Sequence, residues 1–291
     1  MNETGKSSSA TVPTALASDS FTVSRRGIFD DPNVSVMINA NRTFAYLDPA
    51  PEFDYHAYVP RSISLDLGAY KKKLAPIARR FAKIADDIPF SGSLLEIGAA
   101  EGGFLATLRS ARPDLELLSV EPDVTTKTSR DELRLAGDFI GVPEAIAARV
   151  QADVVCLFHV FEHIPNPGDF LNDLRRLLRP GGKLIIEVPA LTDPLLTLYS
   201  SEAYARFYFQ RQHPFVYSAK SLQRVLENAG LTARTCPFQR YGLSNHLAWL
   251  KNAKPGGDQK IENVIGSLDD PYRERIEASG FTDTVFAIAS T

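Results

Sequence analysis

The segment His159-Val160-Phe161-Glu162-His163 sets two imidazoles and a carboxylate within five positions, and more than one chemistry can use that set. The letters H-x-x-E-H match those that some zinc proteases carry on a helix. Here the segment directly follows an apolar run, and Pro165 and Pro167 interrupt any long helix. No further ligand cluster is evident in the sequence, so no metal centre is expected. An imidazole with an ordinary pKa of about 6.5 can instead take a proton from a substrate hydroxyl. His163 and, after it, His213 are the candidate catalytic bases, ahead of His159 and His246. The plainer reading of His163 is a histidine bonded to backbone at a helix start.

A second set surrounds Glu96-Ile97-Gly98-Ala99-Ala100-Glu101-Gly102-Gly103, where small residues let backbone approach a nucleotide and hand over to a helix N-terminus. Gly98, Ala100 and Gly103 also fit the spacing of a dinucleotide-binding turn, which keeps a nicotinamide-dependent oxidoreductase in view. Glu121 stands 23 positions past Gly98, where a carboxylate can accept hydrogen bonds from both ribose hydroxyls of an adenosine.

These residues need strand ends to position them, and the hydrophobic pattern supplies the strands. Residues 66–87 carry Leu67, Tyr70, Leu74, Ile77, Phe81 and Ile84 on one helical face despite Pro76. Residues 93–98 form a short apolar run that reads as a first buried strand, 103–112 return to helical spacing, and 115–120 form a second strand. The alternation is faint through 132–137. It is strong at 153–158, at the helical face of Phe170, Leu171, Leu174, Leu177 and Leu178, and at the strand 183–188 that follows Pro180-Gly181-Gly182. Ser218 caps a further helix, and 231–238 and 282–288 read as late strands. Such alternation predicts an α/β, Rossmann-like fold, with helices on both faces of a mostly parallel sheet.

Ahead of this core, residues 1–20 are rich in Ser, Thr and Ala and read as a disordered leader, and 21–88 as an N-terminal helical or lid segment. The core spans 89–291, and its stretches near 189–214 and 241–270 are long enough to form a lid or substrate-facing insertion. Tyr241, Asn245, His246 and the only tryptophan, Trp249, lie in a segment suited to sugar or polar-ring recognition, or equally to a surface hairpin. The aromatic stretch at 53–58 could close over a cationic ligand or simply pack. Lys71-Lys72-Lys73 reads first as a solvated helix face.

Composition narrows the partners. Thirty-two basic against 35 acidic residues give a net charge of −3, which offers no footprint for a nucleic-acid backbone. No run reaches the roughly 18 apolar residues of a membrane span, nor the apolar stretch of a signal peptide. Two cysteines, Cys156 and Cys236, make neither a disulfide framework nor a zinc cluster and fit a cytoplasmic location.

The combination of Glu96 with its glycine turn, Glu121-Pro122-Asp123, residues 158–167 (FHVFEHIPNP) and Arg179-Pro180-Gly181-Gly182-Lys183 resembles the class I S-adenosylmethionine-dependent methyltransferases in order and spacing, over roughly residues 93–230. The stretch Tyr208-Phe209-Gln210-Arg211-Gln212-His213-Pro214-Phe215 is similar to their late segment. The resemblance implies S-adenosyl-L-methionine as cofactor, Gly98 and Gly102 shaping its turn, Glu96 at its methionine end, Glu121 on its ribose and Asp138 near its adenine amino group. Ala100, where the family commonly has glycine, and Phe158 complete the expected cofactor-binding set. The implied reaction is O-methylation of a small-molecule or glycan hydroxyl. Methyl transfer to a sugar carbon is disfavoured, because that subfamily resembles chains with an added zinc-binding cysteine cluster. A catalytically silent scaffold of the same fold remains an alternative.

Overall fold

The computed structural model describes residues 10–51 and 67–291, and of residues 67–74 the helical backbone only. The aromatic stretch at 53–58 and the side chains of Lys71, Lys72 and Lys73 lie outside the described residues.

Eleven strands occur among the described residues: β1 (Phe21–Arg26), β2 (Ser35–Asn39), β3 (Phe44–Asp48), β4 (Ser91–Ile97), β5 (Asp114–Val120), β6 (Gly137–Phe139), β7 (Ala152–Phe158), β8 (Leu178–Pro189), β9 (Phe215–Tyr217), β10 (Thr232–Phe238) and β11 (Thr284–Ser290). Seven form the main sheet in the order β10-β11-β8-β7-β4-β5-β6. From β6 through β8 the neighbours are parallel, while β11 runs antiparallel to both β8 and β10. The chain runs outward from β4 through β5 to β6, then returns to lay β7 on the other side of β4. That reversal opens a crevice beyond the carboxyl ends of β4 and β7.

Both faces of this sheet are covered, which is why its central strands are continuously apolar. Leu95, Ile97, Val155, Leu157 and Ile186 meet Leu171, Leu174 and Leu177 of helix Pro167–Leu177 and Leu222, Val225 and Leu226 of helix Ala219–Asn228. On the other face Leu94, Val154, Cys156 and Ile185 meet Ile84 of helix Leu67–Ile84 and Phe104, Leu105 and Leu108 of helix Gly103–Ala111. Ser218 closes the N-terminus of helix Ala219–Asn228 in a reciprocal capping box with Ser221.

The N-terminal region departs from expectation. Residues 21–48 form no helical lid; β1, β2 and β3 build an antiparallel sheet completed by β9. Asn39 organises its hairpin, accepting from Thr43 N and Phe44 N with one side-chain atom and donating to Asp19 and Thr43 with the other. Phe44 is fully buried against Phe215 and Tyr217. Nor is the described part of the leader, residues 10–20, detached. Leu16, in a 3-10 turn, is fully buried in the main core, and Arg224 holds Asp19 and the Ala15 carbonyl. Its few apolar residues find a complementary pocket, which composition does not reveal.

Two further expectations change. The segment after Tyr241 is helix Leu243–Asn252 rather than a hairpin, and Trp249 is buried in it against Tyr204 and Phe207, so its ring serves packing. His246 is fully buried, with its Nδ1 2.7 Å from the Tyr272 hydroxyl.

Candidate active site

The crevice begins at the β4 end. Gly98, with φ at +76°, turns the chain so closely against Val160 that an added Cβ would lie 2.4 Å from its Cγ2. Ala100 adopts φ +46° and Gly102 φ +79°, so the turn needs the left-handed region three times in five residues. Gly102 then starts helix Gly103–Ala111, whose first N–H groups suit anionic or electron-rich ligand atoms.

Glu121 is buried at the end of β5, and each of its oxygens is anchored by backbone: Oε2 accepts from Ala100 N at 2.7 Å and Oε1 from Asp123 N at 2.8 Å. A carboxylate oxygen has two lone pairs, so both retain capacity for ribose hydroxyls. Asp138 is committed differently. Its carboxylate takes Arg130 Nε at 2.9 Å and the Ser119 hydroxyl, while the buried Arg130 also donates to the Ala100 carbonyl at 2.7 Å. Asp138 thus braces the turn through Arg130.

Glu96 is buried beside Cys156 and Ser119 in register, and its Oε2 has no hydrogen-bond partner among the described residues. Burial pushes its carboxyl up to about 8, against the pull of Arg80 and with a further push from Glu121. An orphaned, buried carboxyl at the end of β4 is what a cationic ligand group would satisfy. Phe158, at the end of β7, packs edge-on to Phe104 with ring centroids 4.7 Å apart and carries the Arg80 guanidinium 4.5 Å over its face.

Sequence reasoning missed the charged network next to it. Glu187 on β8 is fully buried and pairs with Arg80 through Nε, while Arg80 Nη2 lies 3.3 Å from its Oε1. His159, strained at φ +56°, sets Nε2 3.0 Å from Glu187 and Nδ1 3.3 Å from Glu162, with Arg240 also against its ring. Burial would raise the Glu187 carboxyl, but His159, Arg80 and Arg240 hold it well below the usual carboxylate range. Burial and Arg240 push His159 down, yet the two carboxylates outweigh them and leave it raised. One signal existed for Glu187, a lone charge inside the apolar run 184–188. None existed for Arg240.

A cavity of about 260 Å³ opens beside these groups. It is lined by His159, Glu162 and His163 after β7, by Asp193, Tyr204, Tyr208 and His213 of the segment 189–214, and by Asp283 ahead of β11. His163 and His213 come together, with ring centroids 4.7 Å apart. The His163 Nδ1 lies 2.7 Å from the Gln212 carbonyl, which can only accept, so Nδ1 carries the proton. Burial pushes His213 down to about 4, against the pull of Glu162, and it is neutral at pH 7. The Asp193 and Asp283 carboxyls are both raised, by burial above all, and the Tyr204 hydroxyl donates to Asp193 at 2.7 Å. The absence of a ligand cluster expected for H-x-x-E-H is corrected to this extent: Glu162 and His163 converge with His213, while His159 turns to Glu187.

A glycine turn and acidic residue at successive strand ends, with a polar cavity beyond the ends of β7, β8 and β10, define an α/β enzyme that uses a nucleoside-bearing cofactor. Residues 69–235 match the family described as "Methyltransferase domain", and the chain belongs to that family. It is a class I S-adenosylmethionine-dependent methyltransferase, not a nicotinamide oxidoreductase. An "Uncharacterized methyltransferase" from Mycobacterium sp. (strain JLS) is 27% identical over 70% of this chain and 92% of its own. A "Ubiquinone biosynthesis O-methyltransferase" from Xanthomonas oryzae pv. oryzae (strain PXO99A) is 26% identical over 68% of this chain and 71% of its own. In fold, the chain is similar to a SAM-dependent methyltransferase from Archaeoglobus fulgidus, with TM-score 0.52 and 16% identity over 77% of this chain and 99% of that one. No helix among the described residues is long and apolar enough to cross a membrane.

Proposed function

We propose that this chain methylates a hydroxyl oxygen of a small molecule or sugar. In this reading the turn at residues 98–103 holds the cofactor, with Glu121 on the ribose and Glu96 at the methionine ammonium. Ala100 N and the N–H groups opening helix Gly103–Ala111 lie along it, Phe158 packs at its edge, and Asp138 keeps the turn in place through Arg130. The cofactor supplies a methyl group on a positively charged sulfur. The chain's own part is to hold the acceptor in line and to manage its proton, and positioning alone can supply about 7–11 kcal/mol.

The observation that carries the reading is the pair His163 and His213 in a cavity whose lining is otherwise rich in carboxylates and hydroxyls. A neutral imidazole there can take the acceptor's proton as the oxygen forms its bond to the methyl carbon. The C–S electron pair stays on sulfur, which leaves as a neutral thioether. The Xanthomonas relative's name supports oxygen as the acceptor atom.

Release of S-adenosylhomocysteine, measured across panels of hydroxylated, amine and carbon-acid acceptors, tests this. Turnover with hydroxylated acceptors is expected, and His163→Gln or His213→Gln lowers kcat by about 10²–10⁴ while S-adenosylhomocysteine affinity holds. Turnover confined to amines or carbon acids overturns the assignment.

A further inference from the structure

Three ligand-capable side chains meet in the acceptor cavity although the sequence separates them by 50 positions. Glu162 and His163 end the turn Phe161–His163 after β7, and His213 arrives just ahead of β9. Their donor atoms all lie within 4.8 Å of one another. Glu162 is only 2% exposed and faces the cavity, yet its Oε2 has no hydrogen-bond partner among the described residues. A buried carboxylate oxygen left unsatisfied is costly, and a cation would satisfy it. With the His163 Nδ1 proton on the Gln212 carbonyl, the ring lone pair belongs to Nε2; a backbone carbonyl holding the other ring nitrogen is the usual outer-shell arrangement of a ligating histidine.

We infer that Glu162, His163 and His213 form a site for one divalent transition-metal ion of the zinc class. Two imidazole nitrogens and one carboxylate oxygen are a borderline donor set that suits zinc, cobalt or iron rather than magnesium or calcium. Bond lengths of about 2.0–2.2 Å place tetrahedral donors roughly 3.5 Å apart, so contraction from the present spacing by about an ångström, within reach of side-chain rotation, closes the site. Three protein ligands leave a position open, and the cavity supplies the space beside it. With both imidazole lone pairs on the ion neither ring is then a free base, and in the loaded enzyme the ion, in place of that base, would favour the ionised form of an acceptor hydroxyl near neutral pH. That role rests on the O-methyltransferase reading, whereas the binding itself does not.

The test uses the full chain without a histidine tag, stripped with a chelator and titrated with Co²⁺ by visible absorbance and calorimetry. One equivalent is expected, with tetrahedral ligand-field bands that Zn²⁺ abolishes. Glu162→Gln and His213→Gln should each weaken Co²⁺ binding by more than the roughly 10–100-fold that losing an outer-shell partner costs. Unchanged S-adenosylhomocysteine affinity in both variants excludes misfolding as the cause. Absence of stoichiometric Co²⁺ binding, or variants that bind as the wild type does, overturns the site even where stripped enzyme methylates hydroxyls at full rate. Tight, variant-sensitive Co²⁺ binding in a chain that methylates no hydroxyl upholds the site and sinks the O-methylation reading instead.

Discussion

Cofactor binding at pH 7 should release a proton, and Glu96 should be its source. Its carboxyl, pushed up by burial beside Cys156 of β7, pulled down by Arg80 of helix Leu67–Ile84 and pushed up a little further by Glu121 just after β5, sits at about 8. At pH 7 such a group is about nine-tenths protonated, and one unit less would still leave half. A ligand ammonium placed against it favours the carboxylate, so between about one-half and one proton leaves per S-adenosylhomocysteine bound. Calorimetry in phosphate and in Tris reads this as the slope of observed heat against buffer ionisation heat. The slope should fall towards one-tenth at pH 9, where Glu96 is already ionised, and vanish in Glu96→Gln. The stability linkage has a definite sign. The folded pKa lies above the ordinary 4.5, so this contribution is complete below pH 4.5 and is lost as pH rises through about 8. Glu96→Gln should therefore gain stability relative to wild type on going from pH 5 to pH 9. A wild-type slope near zero, or the same slope in Glu96→Gln, would refute the placement of Glu96 against the ligand ammonium.

Glu121→Gln should weaken S-adenosylhomocysteine nearly as much as Glu121→Ala, because an amide can accept from only one of the two N–H groups the carboxylate holds; a loss of about 1.5–3 kcal/mol, or roughly 10–150-fold in calorimetric Kd, is expected, and an effect below about twofold contradicts it. Ala100→Gly relieves a left-handed alanine worth about 1–2 kcal/mol and forfeits about 0.5–1 of backbone entropy, so urea unfolding should show a net gain of about 0.5–1 kcal/mol. Gly98→Val should abolish cofactor binding, since its side chain would start 2.4 Å from Val160 Cγ2 at a positive φ; a soluble variant with intact affinity counts against the turn's geometry. Burial lowers His246 to about 4, so the unfolded chain binds the extra proton between about pH 6.5 and 4 and stability falls as pH drops through that window, by roughly 3 kcal/mol at most; His246→Gln should flatten that part of the profile.

What the sequence made legible and what it hid follow from the range of the interactions involved. The strands at 93–98, 115–120, 153–158 and 183–188 declare themselves because a parallel sheet covered on both faces demands unbroken apolar runs, and those runs are local. Glu96, Gly98, Glu121 and Phe158 sit at strand ends, so locating the strands locates them. The antiparallel sheet of β1, β2, β3 and β9 was hidden although Val36 and Ile38 face inward with Ala45 and Leu47, because its fourth strand arrives about 170 residues after β3. The cavity proposed for the acceptor is harder still, since it is built from pairs no pattern links: Glu162 with His213, Glu187 with Arg80, His159 with Arg240. Each of those side chains is ordinary where it stands in the chain, and meets its partner only when the segment 189–214, helix Leu67–Ile84 and the residues after β10 come against the ends of β7 and β8. Cofactor recognition in this fold is written along single strands and acceptor chemistry across the elements added to them, so the first can be read before folding and the second only after it.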